Sequence, residues 1–269
     1  MFVYPNFDPV AIAIGPVQVR WYGLMYLLGF LAGWWLARRR AARPGSTWTA
    51  AQVDDLIFFC AIGVIVGGRL GWMLVYGTER LLAEPLSLFR VWEGGMSFHG
   101  GLAGVVIALV FFARSRGKRI ADVFDFAVPL PAIGFGAGRI GNFINGELWG
   151  KPTDVPWAFV VDGVARHPSQ LYEALLEGLV LFVVLWWYTA RPRPTLAPSA
   201  LFLLCYGVFR FAVEFVRLPD ENRGYLAFGW LTTGQLLSLP MIIAGVWMLV
   251  VAYRHDEPSG NYVRAVAAG

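Results

Sequence analysis

The sequence predicts an all-α integral membrane protein of about seven transmembrane helices, with a small external cap and an interfacial arm segment. Two observations carry this expectation. Of the 269 residues, 57% are hydrophobic and only 15% charged, with a mean hydropathy of +0.56. So much apolar side chain exceeds what one soluble core can bury, and lipid must act as the solvent. Apolar runs near the ~20 residues that a helix needs to cross a bilayer then recur along the whole chain, and Arg and Lys cluster after alternate runs.

In chain order, residues 1–20 hold Pro5, Asp8, Pro9 and Pro16 and lack the basic stretch, apolar run and small-residue cleavage site of a secretion signal. They read as an interfacial N-terminal segment. The region 21–141 holds four spans, at Trp21–Ala37, Leu56–Tyr76, Phe98–Ala113 and Asp122–Ile140. Within it, residues 79–93 mix Leu81, Leu82, Leu86, Leu88, Phe89 and Trp92 with charges and Pro85, which suits an arm lying in the interface. Residues 142–169 contain the turn-rich Lys151 to Asp154 and the strand-like Trp157 to Val161, closed by Asp162-Gly163 as a hairpin would be. This is the expected external head. Three further spans, at Leu171–Tyr188, Ala200–Val216 and Gly234–Ala252, fill 170–254, leaving a tail over 255–269.

The basic loops set the expected topology. Arg38, Arg39, Arg40 and Arg43 follow the first span; Arg114, Arg116, Lys118 and Arg119 the third; Arg191 and Arg193 the fifth; Arg254 the last. Loops rich in Arg and Lys stay in the cytoplasm, so the N-terminus is expected outside and the C-terminus inside. The clusters read as topogenic anchors, and no nucleic-acid partner is expected. Cys60 and Cys205 lie in apolar runs at no metal-ligand spacing and read as buried thiols.

The fourth span closes on Gly134 to Glu147, where Arg139 and Asn142 are three apart and would share one helical face, with Asn145 and Glu147 adjacent. An arginine in hydrocarbon is costly, so it points at a partner or an aqueous cavity. At the outer end of the third span lies the glycine-dense Gly94 to Gly101 with His99, whose side chain suits proton transfer near neutral pH. The alternative for His99 is a hydrogen-bonded packing residue. Tyr22 and Arg20, Arg69, and Gln170, Tyr172 and Glu173 fall on the same expected side of the membrane. Tyr206, Arg210, Glu214 and Arg217 align along one helical stripe, with Arg210 and Glu214 readable either as a structural ion pair or as an anion site. His167, before Pro168, reads as a surface residue.

Several arginines converging on one leaflet, with Asn and Tyr donors, suit a lipid phosphate, because guanidinium forks match phosphate oxygens. An anionic phospholipid is the expected ligand. Asp and Glu form no metal-ligand spacing, and no HxxxxD or paired HxK pattern occurs at His99, His167 or His255, so no metal or cofactor is expected.

These residues resemble the prolipoprotein diacylglyceryl transferase family over essentially the whole chain. The likeness runs through Arg20 to Tyr26, Gly95 to Gly101, Gly138 to Glu147, His167 to Glu173 and Tyr206 to Pro219. It implies transfer of the diacylglyceryl group of phosphatidylglycerol to the lipobox cysteine thiol of a prolipoprotein, with a thioether formed and glycerol phosphate released. It also implies a multi-pass protein of the bacterial inner membrane with its active site toward the periplasmic leaflet. Carried over residue by residue, the family's functional positions fall on Tyr22, His99, Arg139, Asn142, Glu147, Gly150, Tyr206, Arg210 and Glu214. The expected roles are catalysis for His99, Arg139, Arg210 and Tyr22, and substrate binding for Arg139, Asn142, Asn145, Glu147, Gly150, Tyr206 and Glu214. His99 is the expected base for the thiol; in the alternative it only orients a loop and a phosphate oxygen takes the proton. An anion transporter would use similar arginines, but no internal repeat is visible. A rhomboid-like protease is suggested only by Ser97 near His99, without the GxSG turn.

Overall fold

The computed structural model describes residues 1–15, 17–219 and 224–263. The last part of the expected tail, 264–269, lies outside the described residues. The chain forms two compact units, one of Met1–Leu36 with Asp125–Ser259 and one of Ala37–Phe124 with Gly260–Gly269.

In the second unit, α2 (Ala50–Val75) and α4 (Phe98–Ser115) pack along glycines. Gly63, Gly67 and Gly71 recur every fourth residue on α2 and meet Gly100 and Gly104 on α4. A Cβ at Gly67 would lie 2.4 Å from the Gly100 carbonyl oxygen, and one at Gly100 2.3 Å from that of Gly67, so only glycine permits this approach. Gly100, beside His99, is therefore held in a close backbone contact with α2. Thr49 starts α2 with a capping box, its hydroxyl accepting from Gln52 N at 3.2 Å while Gln52 Oε1 accepts from Thr49 N. Trp48 stacks on the fully buried Phe112 with ring centroids 5.7 Å apart. The tail is stitched to the same end: Asn261 Oδ1 accepts from Trp48 Nε1 at 2.7 Å, and Asn261 Nδ2 donates to the Asp122 carbonyl at 2.8 Å.

The expected arm is a chain of short helical turns, α3 (Thr78–Ala83) followed by 3-10 turns at Pro85–Phe89 and Val91–Glu93. Leu82, Leu86, Phe89 and Trp92 point outward, while Arg80 pairs with Glu93 and Arg90 with Glu84 and Glu93. Apolar side chains thus face the surroundings while ion pairs brace the turns, the pattern of an interfacial element.

In the first unit, β1 (Phe2–Val3) pairs in parallel with β4 (Phe159–Val161), which pairs antiparallel with β5 (Val164–Arg166). Asp162 and Gly163 both have positive φ, 50° and 78°, as a two-residue hairpin turn of type I′ requires. β2 (Val10–Ile14) and β3 (Val17–Arg20) form a second hairpin. The sequence reading placed no strands in 1–20. The β1–β4 pairing joins residues more than 150 positions apart, and no local pattern announces it.

The helices of this unit begin with α1 (Trp21–Ala41), whose last residues belong to the other unit. α5 (Ile120–Ala127) also crosses the boundary, and α6 (Pro131–Ile144) starts after a break at Pro129 and Pro131, where a continuous helix would lose backbone donors. α7 (Ser169–Glu173), a π-helical stretch (Ala174–Val180) and α8 (Leu181–Tyr188) make one continuous rod. α9 (Ala197–Val213) and α10 (Thr233–His255) complete the set. Small residues set the closest approaches: a Cβ at Gly178 would lie 2.5 Å from Gly136 Cα, and one at Gly29 2.8 Å from Gly134 Cα. Asp125 anchors α9, accepting from Leu196 N at 2.7 Å and from Ser199 Oγ at 2.6 Å.

All seven expected spans coincide with helices. Among the described residues, four of these helices are long and apolar enough to cross a membrane, or five if α5 and α6 are one broken span. In α1 the repeated Trp, Tyr and Gly dilute the hydropathy, and α9 is short, ending at Val213 rather than at the expected Val216. Outward positions on these helices are large and apolar, among them Ile107, Phe111, Leu179, Val183, Ile243 and Trp247. A surface of this kind belongs in lipid.

Candidate active site

The polar groups of the first unit converge where α6, α7, the π-helical stretch and the C-terminal end of α9 meet. Glu173, the last residue of α7, is fully buried and shared by three arginines. Its Oε2 lies 3.1 Å from Arg139 Nε, and its Oε1 accepts from Arg210 Nη1 at 2.5 Å and Arg217 Nη1 at 2.6 Å. Arg210 also pairs with Glu214, and Arg217 Nε lies 3.4 Å from Glu214 Oε1. Thr232, the N-cap of α10, donates its hydroxyl to Glu214 Oε2 at 2.6 Å. One turn beyond Glu173, buried Glu177 brings a third carboxylate within 4.0 Å of Arg210. Three guanidiniums thus face three carboxylates, which is how charge is tolerated in an apolar span.

Arg210 and Glu214 thus form an ion pair inside a larger network. Arg139 is the least enclosed member. Its side chain is 24% exposed, against 17% for Arg210 and 11% for Arg217, and only its Nε faces Glu173. Its terminal nitrogens are the fork that an incoming anion can take bidentately.

A second cluster lies at the end of α6. Glu147 Oε1 accepts from Asn142 Nδ2 at 2.7 Å and from Asn145 Nδ2 at 3.2 Å. The backbone around Glu147 is held from behind, in a turn where Gly146 and Leu148 both adopt positive φ. Gln170 Nε2 donates to the Glu147 carbonyl at 2.5 Å, Ser169 Oγ to the Leu148 carbonyl at 2.8 Å, and Trp149 Nε1 to the Gly146 carbonyl at 2.9 Å. Tyr4 donates to the Phe143 and Ile144 carbonyls at 2.7 and 2.9 Å, tying the N-terminal segment to the same turn. Tyr22, in the first turn of α1, packs against Gly141, hydrogen-bonds the Tyr26 hydroxyl at 3.2 Å and lies within electrostatic reach of Glu147 and Arg139. Although Arg139 and Asn142 leave α6 three residues apart, they serve different partners, Glu173 and Glu147.

Tyr206 stacks on Phe202 with centroids 5.8 Å apart and borders the arginine network from α9. Gly150 has a packing reason to be glycine: a Cβ there would lie 2.5 Å from the Val216 carbonyl oxygen and 2.8 Å from His167 Cβ. His167 is half-buried, with Nδ1 3.2 Å from the Tyr172 hydroxyl, so its expected surface placement is corrected; Tyr172 in turn accepts from Trp157 Nε1.

His99 belongs to the second unit, in the first turn of α4, exposed and edge-on to Phe98. Ser97 is the N-cap of that helix, accepting from Gly100 N at 3.2 Å, which gives this serine a structural task in place of the nucleophile role considered above. Arg69, grouped from sequence with the site residues, is instead a buried tie. It donates to the carbonyls of Ser87, Leu88, Gly94 and Gly95 and so fixes the arm to α2.

Sequence reasoning undervalued Glu173 and missed Glu177, Thr232 and the bracing roles of Ser169 and Gln170. Two glutamates four apart in an otherwise apolar span were the available signal. Among the described residues, no group of three or more His, Cys, Asp or Glu side chains could hold a metal ion.

A family model described as prolipoprotein diacylglyceryl transferase matches residues 9–251. Curated relatives bearing the name phosphatidylglycerol–prolipoprotein diacylglyceryl transferase are similar over nearly the whole chain. One from Solidesulfovibrio magneticus is 61% identical over 254 residues, covering 93% of this chain and 96% of the relative. One from Coxiella burnetii is 59% identical, covering 96% of this chain and all of the relative, and one from Pseudomonas aeruginosa is 56% identical, covering 95% and 97%.

Proposed function

Because the chain belongs to the prolipoprotein diacylglyceryl transferase family, we propose a division of labour among its polar residues for that family's reaction. The activity is transfer of the diacylglyceryl group from phosphatidylglycerol to a prolipoprotein. The acceptor is the lipobox cysteine thiol. A thioether forms between its sulfur and the glyceryl carbon, the carbon–oxygen bond to phosphate breaks, and glycerol phosphate leaves with the electron pair. Arg139 and Arg210 hold the phosphate and neutralise the charge that grows on the leaving group. Asn142, Asn145 and Glu147 bind the head-group glycerol through its hydroxyls, with Tyr22 and Tyr206 positioning it, and Gly150 keeps the turn closed. His99 takes the proton of the thiol, whose reference pKa near 8.5 leaves it mostly neutral at pH 7.

The part-exposed guanidinium of Arg139, which faces Glu173 through Nε, is the observation that supports this reading most. The alternating basic loops support a seven-span topology in the bacterial inner membrane, with the N-terminus periplasmic, the C-terminus cytoplasmic and the site toward the periplasmic leaflet. The test uses purified protein with phosphatidylglycerol and a lipobox peptide. Arg139→Ala should abolish thioether formation, and His99→Gln should slow it at least tenfold. Near-normal turnover of Arg139→Ala removes the phosphate role; near-normal turnover of His99→Gln removes the histidine base.

A further inference from the structure

Glu173 has no part in the division of labour above, although three arginines share its carboxylate. It is fully buried, and Arg139, Arg210 and Arg217 all lie on its two carboxylate oxygens. These arginines come from α6, from α9 and from the turn after α9, so one carboxylate sets where all three guanidiniums stand. Ionised partners at 2.5–3.1 Å in a site shielded from water interact strongly, and the position and net charge of the group depend on that one side chain.

The reaction gives this charge a purpose. The substrate phosphodiester carries one negative charge, whereas the product is a phosphate monoester carrying about −1.5 to −2 near pH 7. A pocket of unopposed arginines would therefore hold the product more tightly than the substrate and stall after one turnover. We propose that Glu173 is a positioning residue that holds the arginine forks in register and lowers the positive charge of the pocket, so that the more highly charged product is released. Glu173 competes with the phosphate for Arg210, whose Nη1 it holds, taking back that guanidinium as glycerol phosphate departs. This inference rests on the phosphate role given to Arg139 and Arg210 above.

Inhibition by added glycerol 1-phosphate, beside kcat and KM for phosphatidylglycerol, tests it in purified protein with a lipobox peptide. Glu173→Gln keeps the shape and adds one net positive charge. It should strengthen inhibition by glycerol 1-phosphate roughly tenfold or more, lower kcat and leave KM equal or lower, as expected for a unit charge acting over a few ångströms. Glu173→Asp, which keeps the charge, should bring the inhibition constant back toward the parent value. Arg217→Gln removes a positive charge from the same carboxylate and should weaken inhibition, which keeps the test decisive should Glu173→Gln fail to fold. Unchanged inhibition in Glu173→Gln, or in Arg217→Gln, overturns the proposal, as does a raised KM with unchanged inhibition, the signature of a purely structural brace. Arg139→Ala separates this from the premise: if it leaves inhibition by glycerol 1-phosphate untouched, the phosphate role itself fails.

Discussion

Replacing Gly104 with Ala should separate α2 from α4, and its size can be worked from the backbone. A Cβ on Gly104 would stand 1.9 Å from the Gly63 carbonyl oxygen and 3.1 Å from Gly67 Cα. Ordinary contact begins at 3.4 Å, so the helices must part by about the difference, 1.5 Å, and both obstructing atoms are backbone that no rotamer change can move. Parting there also loosens the contact one turn away between Gly67 and Gly100. Overpacking of this kind costs about 1–3 kcal/mol, and each kcal/mol lowers the melting temperature of a chain this size by about 2–4 °C, so a loss of roughly 5 °C is expected. Gly101→Ala is the control on the same helix: its Cβ would lie 3.6 Å from the nearest atom, the Val64 carbonyl oxygen. Since alanine is the better helix former, that variant should melt at or above the parent temperature. Thermal unfolding of the three proteins in one detergent, followed by intrinsic fluorescence, reads the result. Equal melting temperatures for Gly104→Ala and Gly101→Ala would refute the close-packing argument.

Other outcomes follow from the site and its supports. Glu147→Ala removes the shared acceptor of Asn142 and Asn145; hydrogen bonds to a charged group are worth about 1.5–3 kcal/mol, so kcat/KM for phosphatidylglycerol should fall roughly ten- to a hundredfold in initial-rate assays. Arg69→Lys cannot reach the carbonyls of both Ser87 and Gly94 with a point charge, and limited proteolysis should cleave the arm between Glu84 and Gly95 faster than in the parent. For His167, burial and then the nearby Lys151 hold the imidazole pKa below its usual value, so the folded state prefers the neutral ring. Stability from this preference is present above the unfolded pKa, ~6.5, and is lost as pH falls through the lower folded value. The melting temperature should therefore drop below about pH 6, and less so in His167→Asn; equal acid sensitivity of the two proteins would exclude the histidine.

The external head shows how legible local chemistry is. Asp162-Gly163 announced its turn because few dipeptides accept two consecutive positive φ values, and the strands on either side followed. Arg139, Asn142 and Glu147 were legible for a different reason, since polar groups are rare in apolar spans and need partners. The partners themselves were not legible. Glu173 looked like the polar opening of a span, and only the packing of α7 against α6 and α9 placed it between three arginines. Arg69 had the same signature as Arg139 in the sequence, yet folding turned one toward backbone carbonyls and set the other, part exposed, beside Glu173. Of the glycines around His99, only the neighbouring helix showed that Gly100 sits in a close backbone contact.

By itself, then, the sequence determined the solvent, the order of the apolar helices and the residues expensive enough to require a reason, because hydrophobic content and charge are properties of each position alone. The tertiary structure decided which charges neutralise one another, which arginine stays open, and that β1 closes onto β4 from the far end of the chain. Those outcomes depend on distances between residues remote in sequence, and electrostatic and packing energies are set by distance.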